Sequence, residues 1–177
     1  MKISHLNKEK WKGHKLVFTY KTDECYDLLI IKNNNDFSVE LKLINLGYEV
    51  TKNFEGILYE NYLENPYAFG IKLLKDEWIG FLEVNLESWN NRLRITELLI
   101  LENFRGKGYG GHLINKAKRI AEDMKCRAIV LETQSCNTKA IKFYLSHGFT
   151  FCGFDSACYS NDDIEKKEVR LEFIYLI

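Results

Sequence analysis

Residues 92–124 constrain the fold more than any other stretch of the chain. The run RLRITELLIL (92–101) reads as a strand, and four glycines follow between positions 106 and 111. Leu113, Ile114, Ala117, Ile120, Ala121 and Met124 then recur at spacings of three and four. A strand therefore feeds a helix over about 108–124, and the glycines occupy the joint. The first turn of a helix leaves backbone N–H groups unsatisfied, and glycine lets a ligand approach them without a Cβ in the way. The helix terminus, Arg105 and Lys107 all favour an anion there, and a pyrophosphate fits the description. The plainer reading is a solvated turn. A P-loop is excluded because no GxxxxGK[ST] is present. Gly106, Gly108 and Gly111 do spell the G-x-G-x-x-G of a dinucleotide site, with Glu132 ending the next strand. Only one further strand–helix unit follows, however, which is too little chain for a six-stranded parallel sheet.

The remaining pattern predicts a mixed α/β sheet in which antiparallel strands precede a strand–helix–strand crossover. KLVFTY (15–20) and CYDLLII (25–31) read as strands, with a turn at KNNND (32–36) and a return strand FSVELKLI (37–44). Phe54, Ile57, Leu58 and Tyr62 suggest an amphipathic helix that stops before Pro66. YAFGIKLL (67–74), EWIGFLEVNLE (77–87) and residues 92–101 form a meander through the turns KD and SWNN. The strand RAIVLETQ (127–134), a helix near 138–146 and strands near 149–154 and 168–176 close the chain. The segment NDDIEKKE (161–168) reads as an exposed loop. Residues 1–14 are polar and expected to be a flexible segment, leaving a single domain over 15–177.

Composition narrows the function. Lysine plus arginine equals aspartate plus glutamate, 25 each, and acids alternate with bases, so nucleic acid is not an expected partner. No apolar run approaches the ~20 residues needed to span a bilayer. Five cysteines without a CxxC pair, and a start without an apolar stretch, suggest free thiols and a cytoplasmic location. The four histidines are scattered and no metal site is expected.

Two motifs carry a family resemblance. Arg105-Gly106-Lys107-Gly108-Tyr109-Gly110 resembles the R-x-x-G-x-G acyl-CoA loop of the GNAT acetyltransferase superfamily. NTKAIKFYLSHGF (137–149) resembles that superfamily's N-x-x-A-x-x-F-Y-x-x-x-G-F signature. Within the superfamily, NPYAFG (65–70), WIGFLEV (78–84), ESWNNRLRITELLI (87–100), IVLETQSCNTKAIKFY (129–144) and GFTFCGFD (148–155) are similar to the streptothricin acetyltransferases. The resemblance implies a GNAT fold: a mostly antiparallel twisted sheet of about seven strands, flanking helices and a splayed strand pair that binds acetyl-CoA. It further implies acetyl transfer from acetyl-CoA to the β-lysine amine of streptothricin, a small cationic acceptor. It leaves room for a homodimer, on which the residues themselves are silent.

Carried onto this chain, the resemblance gives Leu99, Ile100 and Leu101 the pantetheine, and an amide near Leu99 the thioester carbonyl. It gives Arg105, Gly106, Lys107, Gly108, Tyr109 and Gly110 the pyrophosphate, with Asn137 as helix cap and cofactor contact. A lone helical tyrosine reads as packing, but inside the matched motif Tyr144 becomes the acid that protonates the leaving thiolate. Glu97 shares a strand face with Ile95 and Leu99 until a bulge breaks the period, and is the candidate base; an edge glutamate is the plainer reading. Glu87, Glu132 and Asp155 at strand ends, with Trp89, are the candidates for attracting a cationic substrate. A non-catalytic acyl-CoA-binding module, or another amine acceptor, stays open on sequence alone.

Overall fold

The computed structural model describes residues 1–73 and 77–177. In chain order the elements are β1 (Lys2–Leu6), α1 (Lys8–Trp11), β2 (Lys15–Asn33), β3 (Asp36–Ile57), β4 (Pro66–Lys72), β5 (Trp78–Glu87) and β6 (Arg92–Ile100). A 3-10 turn (Glu102–Phe104), α2 (Tyr109–Asp123), β7 (Ala128–Gln134), α3 (Thr138–Ser146), β8 (Thr150–Asp155) and β9 (Arg170–Leu176) follow. Seven strands form one sheet in the order β1-β4-β5-β6-β7-β9-β8, and β2 and β3 form a two-stranded ribbon. Pairs β1–β4, β4–β5 and β5–β6 are antiparallel, whereas β6–β7 is parallel. This is the mixed α/β class that the sequence pattern predicts and the strand number that the family resemblance implies. The turn expected at Lys75 and Asp76, with Leu74 before it, lies outside the described residues. Among the described residues no helix is long and apolar enough to cross a membrane.

The backbone divides into two compact units, Met1–Thr19 with Asn53–Leu131 and Ile174–Ile177, and Tyr20–Lys52 with Glu132–Phe173. In the first unit β5 is buried at every position from Ile79 to Asn85. Both of its faces are covered, so the half-buried alternation of a meander strand is lost there. Leu6, Leu16, Leu58, Tyr59, Ala68, Phe81 and Leu99 make up one core cluster, with Trp11, Phe18, Trp78 and Leu101 packed against it. Helix α2 buries Leu113, Ile114, Ala117, Ile120 and Ala121, the face its spacing predicts.

Two expectations in this unit are corrected. Residues 1–14 are not a frayed arm: β1 pairs with β4 from Lys2↔Lys72 to Leu6↔Ala68. Asn7 then caps α1 by accepting the Glu9 N–H at 2.8 Å. The polar composition hid a strand whose backbone bonds and single buried Leu6 are enough to dock it. The helix expected from Thr51 is instead the end of β3. Phe54 stacks on Phe18 with centroids 4.8 Å apart, and Leu58 exchanges backbone bonds with Gly13 and His14. Cross-strand pairing outweighs a weak three–four spacing that contains Gly56, a poor helix former.

In the second unit the ribbon turns at Asn34, whose φ is 42°, inside the predicted turn cluster. Helix α3 buries Thr138, Ile141 and Tyr144. The 161–168 segment is not simply an exposed loop, because it closes around Asp163, which is fully buried. That carboxylate accepts the Tyr159 N–H at 2.9 Å and the Ser160 hydroxyl at 2.7 Å.

Candidate active site

The glycine loop is a backbone structure. Leu101 donates its N–H to Ile79 O at 2.9 Å, which fixes the chain as it leaves β6. Gly106 and Gly108 adopt φ of 72° and 82°, and a Cβ at either would meet nothing within 4 Å. They are glycines because of that conformation, and the space in front of them is open. Gly108 is the N-cap of α2 and offers no side chain to the first-turn N–H groups. An anion can therefore satisfy those donors. The bases do something other than point outward. Arg105 donates from Nε to Ile100 O at 2.9 Å and from a terminal nitrogen to Thr19 O at 2.8 Å. Lys107 donates to Asn103 O at 2.9 Å. These side chains brace the loop, and its shape is what presents the amides.

Strand β6 carries a bulge, but it falls between Ile95 and Glu97, so Glu97 shares a face with Leu99 and not, as expected, with Ile95. Glu83 of β5 faces Glu97, the next pair is Val84 with Ile95, and Thr96 is the extra residue. The parallel register with β7 runs from Arg92↔Ala128 to Arg94↔Val130, while β6 continues beside β5 to Ile100↔Gly80. The Glu97 carboxylate packs against Gly56, where any Cβ would collide with it. Sequence reasoning missed Glu83, which is 1% exposed. It accepts the Tyr59 N–H at 2.6 Å and the Thr96 hydroxyl at 2.8 Å. Burial pushes its pKa above the ordinary carboxylate value, against those two hydrogen bonds. The Glu in WIGFLEV, placed among apolar residues on the central strand, was the available signal.

Glu87, expected to attract a cationic substrate, is engaged elsewhere. Arg92 reaches it at 3.0 Å and Arg94 at 2.5 Å, with Asn90 at 3.2 Å. Burial raises its pKa, but the hydrogen bonds and charge of Arg94, with Asn90 and Arg92, outweigh that and hold it below the usual value. Trp89 is 80% exposed, and its ring lies 6.0 Å from the Arg92 guanidinium.

In the second unit Asn137 caps α3 by accepting the Ala140 N–H at 3.4 Å. Tyr144, on the same helix, is buried among rings, with Phe149 and Phe173 centroids 6.2 Å and 6.4 Å away. Glu132 is ion-paired with Arg170, which also holds Glu172 at 2.7 Å. Asp155 accepts the Ala157 N–H at 3.0 Å and serves a turn. Tyr20, unmentioned by sequence reasoning, donates to Gln134 Oε1 at 2.5 Å and lies 3.2 Å from Cys136 Sγ. Burial raises the pKa of both the phenol and the thiol.

Residues 35–149 match the acetyltransferase (GNAT) family. The chain belongs to the GNAT acetyltransferase family. This GNAT chain is 39% identical over 80 residues to a streptothricin acetyltransferase of Streptomyces lavendulae, covering 45% of this chain and 42% of that protein. It is 32% identical over 98 residues to streptothricin acetyltransferase A of Bacillus subtilis (strain 168), covering 55% and 56% respectively. The matched segments thus span about half the length of these two relatives. A Bacillus anthracis str. Ames protein, assigned as a streptothricin acetyltransferase and crystallised with acetyl coenzyme A, superposes at a TM-score of 0.74. That match covers 99% of this chain and 98% of the other at 23% identity, which shows a shared GNAT fold.

Proposed function

We propose that this protein is an acetyl-CoA-dependent N-acetyltransferase that acts on a primary amine of a small cationic molecule, namely the β-lysine amine of streptothricin, and so confers resistance to it. The observation that carries this reading is the glycine loop: two left-handed glycines with open space before them, set on a helix N-terminus without a capping side chain. That cradle fits a diphosphate. The backbone of Gly106, Lys107, Gly108, Tyr109 and Gly110 would hold it, with Leu99, Ile100 and Leu101 along the pantetheine, and Asn137 contributing from α3.

Acetyl-CoA supplies a thioester whose carbonyl carbon accepts the amine. In this proposal an amide near Leu99 that faces away from β5 polarises the carbonyl oxygen, and Glu97 takes the proton that the amine must lose, directly or through water. Tyr144 donates a proton to the departing thiolate as the C–S bond breaks and the amide forms. The products are the acetamide and free coenzyme A. Streptothricin is favoured as acceptor because the Streptomyces lavendulae and Bacillus subtilis relatives both carry that name.

The test is thiol release from acetyl-CoA by purified protein, with product mass measured, across streptothricin, aminoglycosides, spermidine and peptide N-termini. Streptothricin gaining one acetyl group faster than the rest is the expected result. Thiol release no faster than the blank with every amine would overturn the reading, and a faster peptide or spermidine would replace the acceptor.

A further inference from the structure

The second unit contains a cavity of about 480 Å³ that none of the roles above uses, within the range of small-molecule sites. Leu46, Tyr48, Val50 and Lys52 of β3 line one side at a spacing of two, which puts them on one strand face. Glu165, Lys166, Lys167 and Glu168 line the other side, and Cys136, the residue before the α3 N-cap, completes the lining. An apolar and aromatic wall therefore faces a charged one.

The charges on that wall are not equivalent. Lys166 pairs with Asp162 at 2.9 Å and Lys167 with Asp27 at 2.6 Å. Neither aspartate lines the cavity, so these two lysines are neutralised from outside it. Lys52 pairs with Glu168, and both side chains keep about a fifth of their surface exposed. With Asp27 and Asp162 included, acids outnumber lysines, and an incoming anion gains nothing. Lys52 is itself an alkylammonium, anchored on the same strand face as Leu46, Tyr48 and Val50 with its head group on Glu168. The protein thus displays in its own side chain the ligand chemistry that this wall accepts. The Cys136 thiol beside Tyr20 is uncharged, since burial raises both ionisations.

We propose that this cavity binds a primary alkylammonium arm of the acceptor, of lysine or polyamine type. Its methylenes lie on Leu46, Tyr48 and Val50, and its ammonium contests Lys52 for Glu168, with Glu165 alongside. The assignment rests on the acetyltransferase reading only in calling the ligand the acceptor. Glu168 and Glu165 then set specificity for cationic amines, a role the sequence gives first to Glu87, Glu132 and Asp155 and only second to the acids of 161–168.

Calorimetric titration of the full-length protein with streptothricin and with spermidine, at low salt and without acetyl-CoA, tests it. Glu168→Gln should weaken amine binding about tenfold or more, as expected for losing a charge-assisted partner, with acetyl-CoA affinity unchanged. Lys52→Met should tighten it, because the internal competitor is gone, which a merely structural ion pair would not do. Amine affinity unchanged in Glu168→Gln, or not raised in Lys52→Met, overturns the assignment. Should either variant fail to fold, Val50→Trp decides by filling the slot: retained amine affinity again overturns it. Turnover separates the two readings. An amine that binds in a Glu168-dependent way but is never acetylated removes the transfer reading and leaves the cavity. An amine acetylated with the same KM in Glu168→Gln removes the cavity and leaves the transfer reading.

Discussion

The loop at residues 105–110 and helix α3 are assigned to one reaction but are made of different materials. In the loop, Arg105 and Lys107 are turned onto backbone carbonyls, and Gly106 and Gly108 put no side chain in the open space before the backbone. In α3 the backbone is an ordinary capped helix, and what it delivers is side chains, Asn137 and Tyr144. The contrast teaches where to look for sensitivity. A backbone site is damaged by changing conformation, and a side-chain site by deleting an atom.

The largest effect is expected at α3. Tyr144→Phe removes one oxygen and should lower kcat by about 100-fold, as for loss of a general acid, with acetyl-CoA binding unaltered by titration. Equal turnover would make Tyr144 a packing residue, consistent with its place among Phe149 and Phe173.

A smaller effect is expected in the loop, and there it should follow conformation rather than charge. Gly108→Val forces a β-branched residue to a φ of 82°. That costs about 1–2 kcal/mol or more and should weaken acetyl-CoA binding about tenfold. Arg105→Met, which deletes a charge but keeps the glycines, should cost about threefold or less. The reverse order would mean that the guanidinium, not the amide cradle, grips the diphosphate.

The smallest effects sharpen the same contrast within one strand, where Glu83 and Glu87 of β5 meet opposite surroundings. Glu83 is buried and its pKa is raised from 4.5. Folding favours its protonated form, so its contribution to stability is present below pH 4.5 and lost as pH rises through the raised value. Glu87 is held by arginines and its pKa is lowered. Its contribution is present above 4.5 and lost as pH falls through the lowered value. Thermal melts against pH should therefore show Glu83→Gln flattening the slope on the side above 4.5 and Glu87→Gln flattening it on the acid side. Matching slopes in the two variants would refute the assignment of these environments.

Much of this protein was legible in one dimension. The β6–loop–α2 joint, the apolar face of α2 and the Asn137 cap are local events, dictated by residues within a turn or two of each other. The 51–62 segment was misread because its spacing suits a weak helix, while its partner in β2 lies some 40 residues earlier. β1 was misread because a strand at a sheet edge needs few apolar residues once its backbone is paired with β4.

The site divides along the same line. Glycines at 106 and 108 announce themselves, since only glycine occupies such backbone at no steric cost. The acids do not, because a carboxylate's role depends on which cation reaches it through space. Glu87 went to Arg92 and Arg94, Glu132 to Arg170, and Glu83 vanished into the core. The sequence alone determined the backbone cradle, whose conformation is a local property of the chain. Only the tertiary structure decided which charges are spent on the protein itself and which face a cavity, because electrostatic partnership is set by distance and burial rather than by order along the chain.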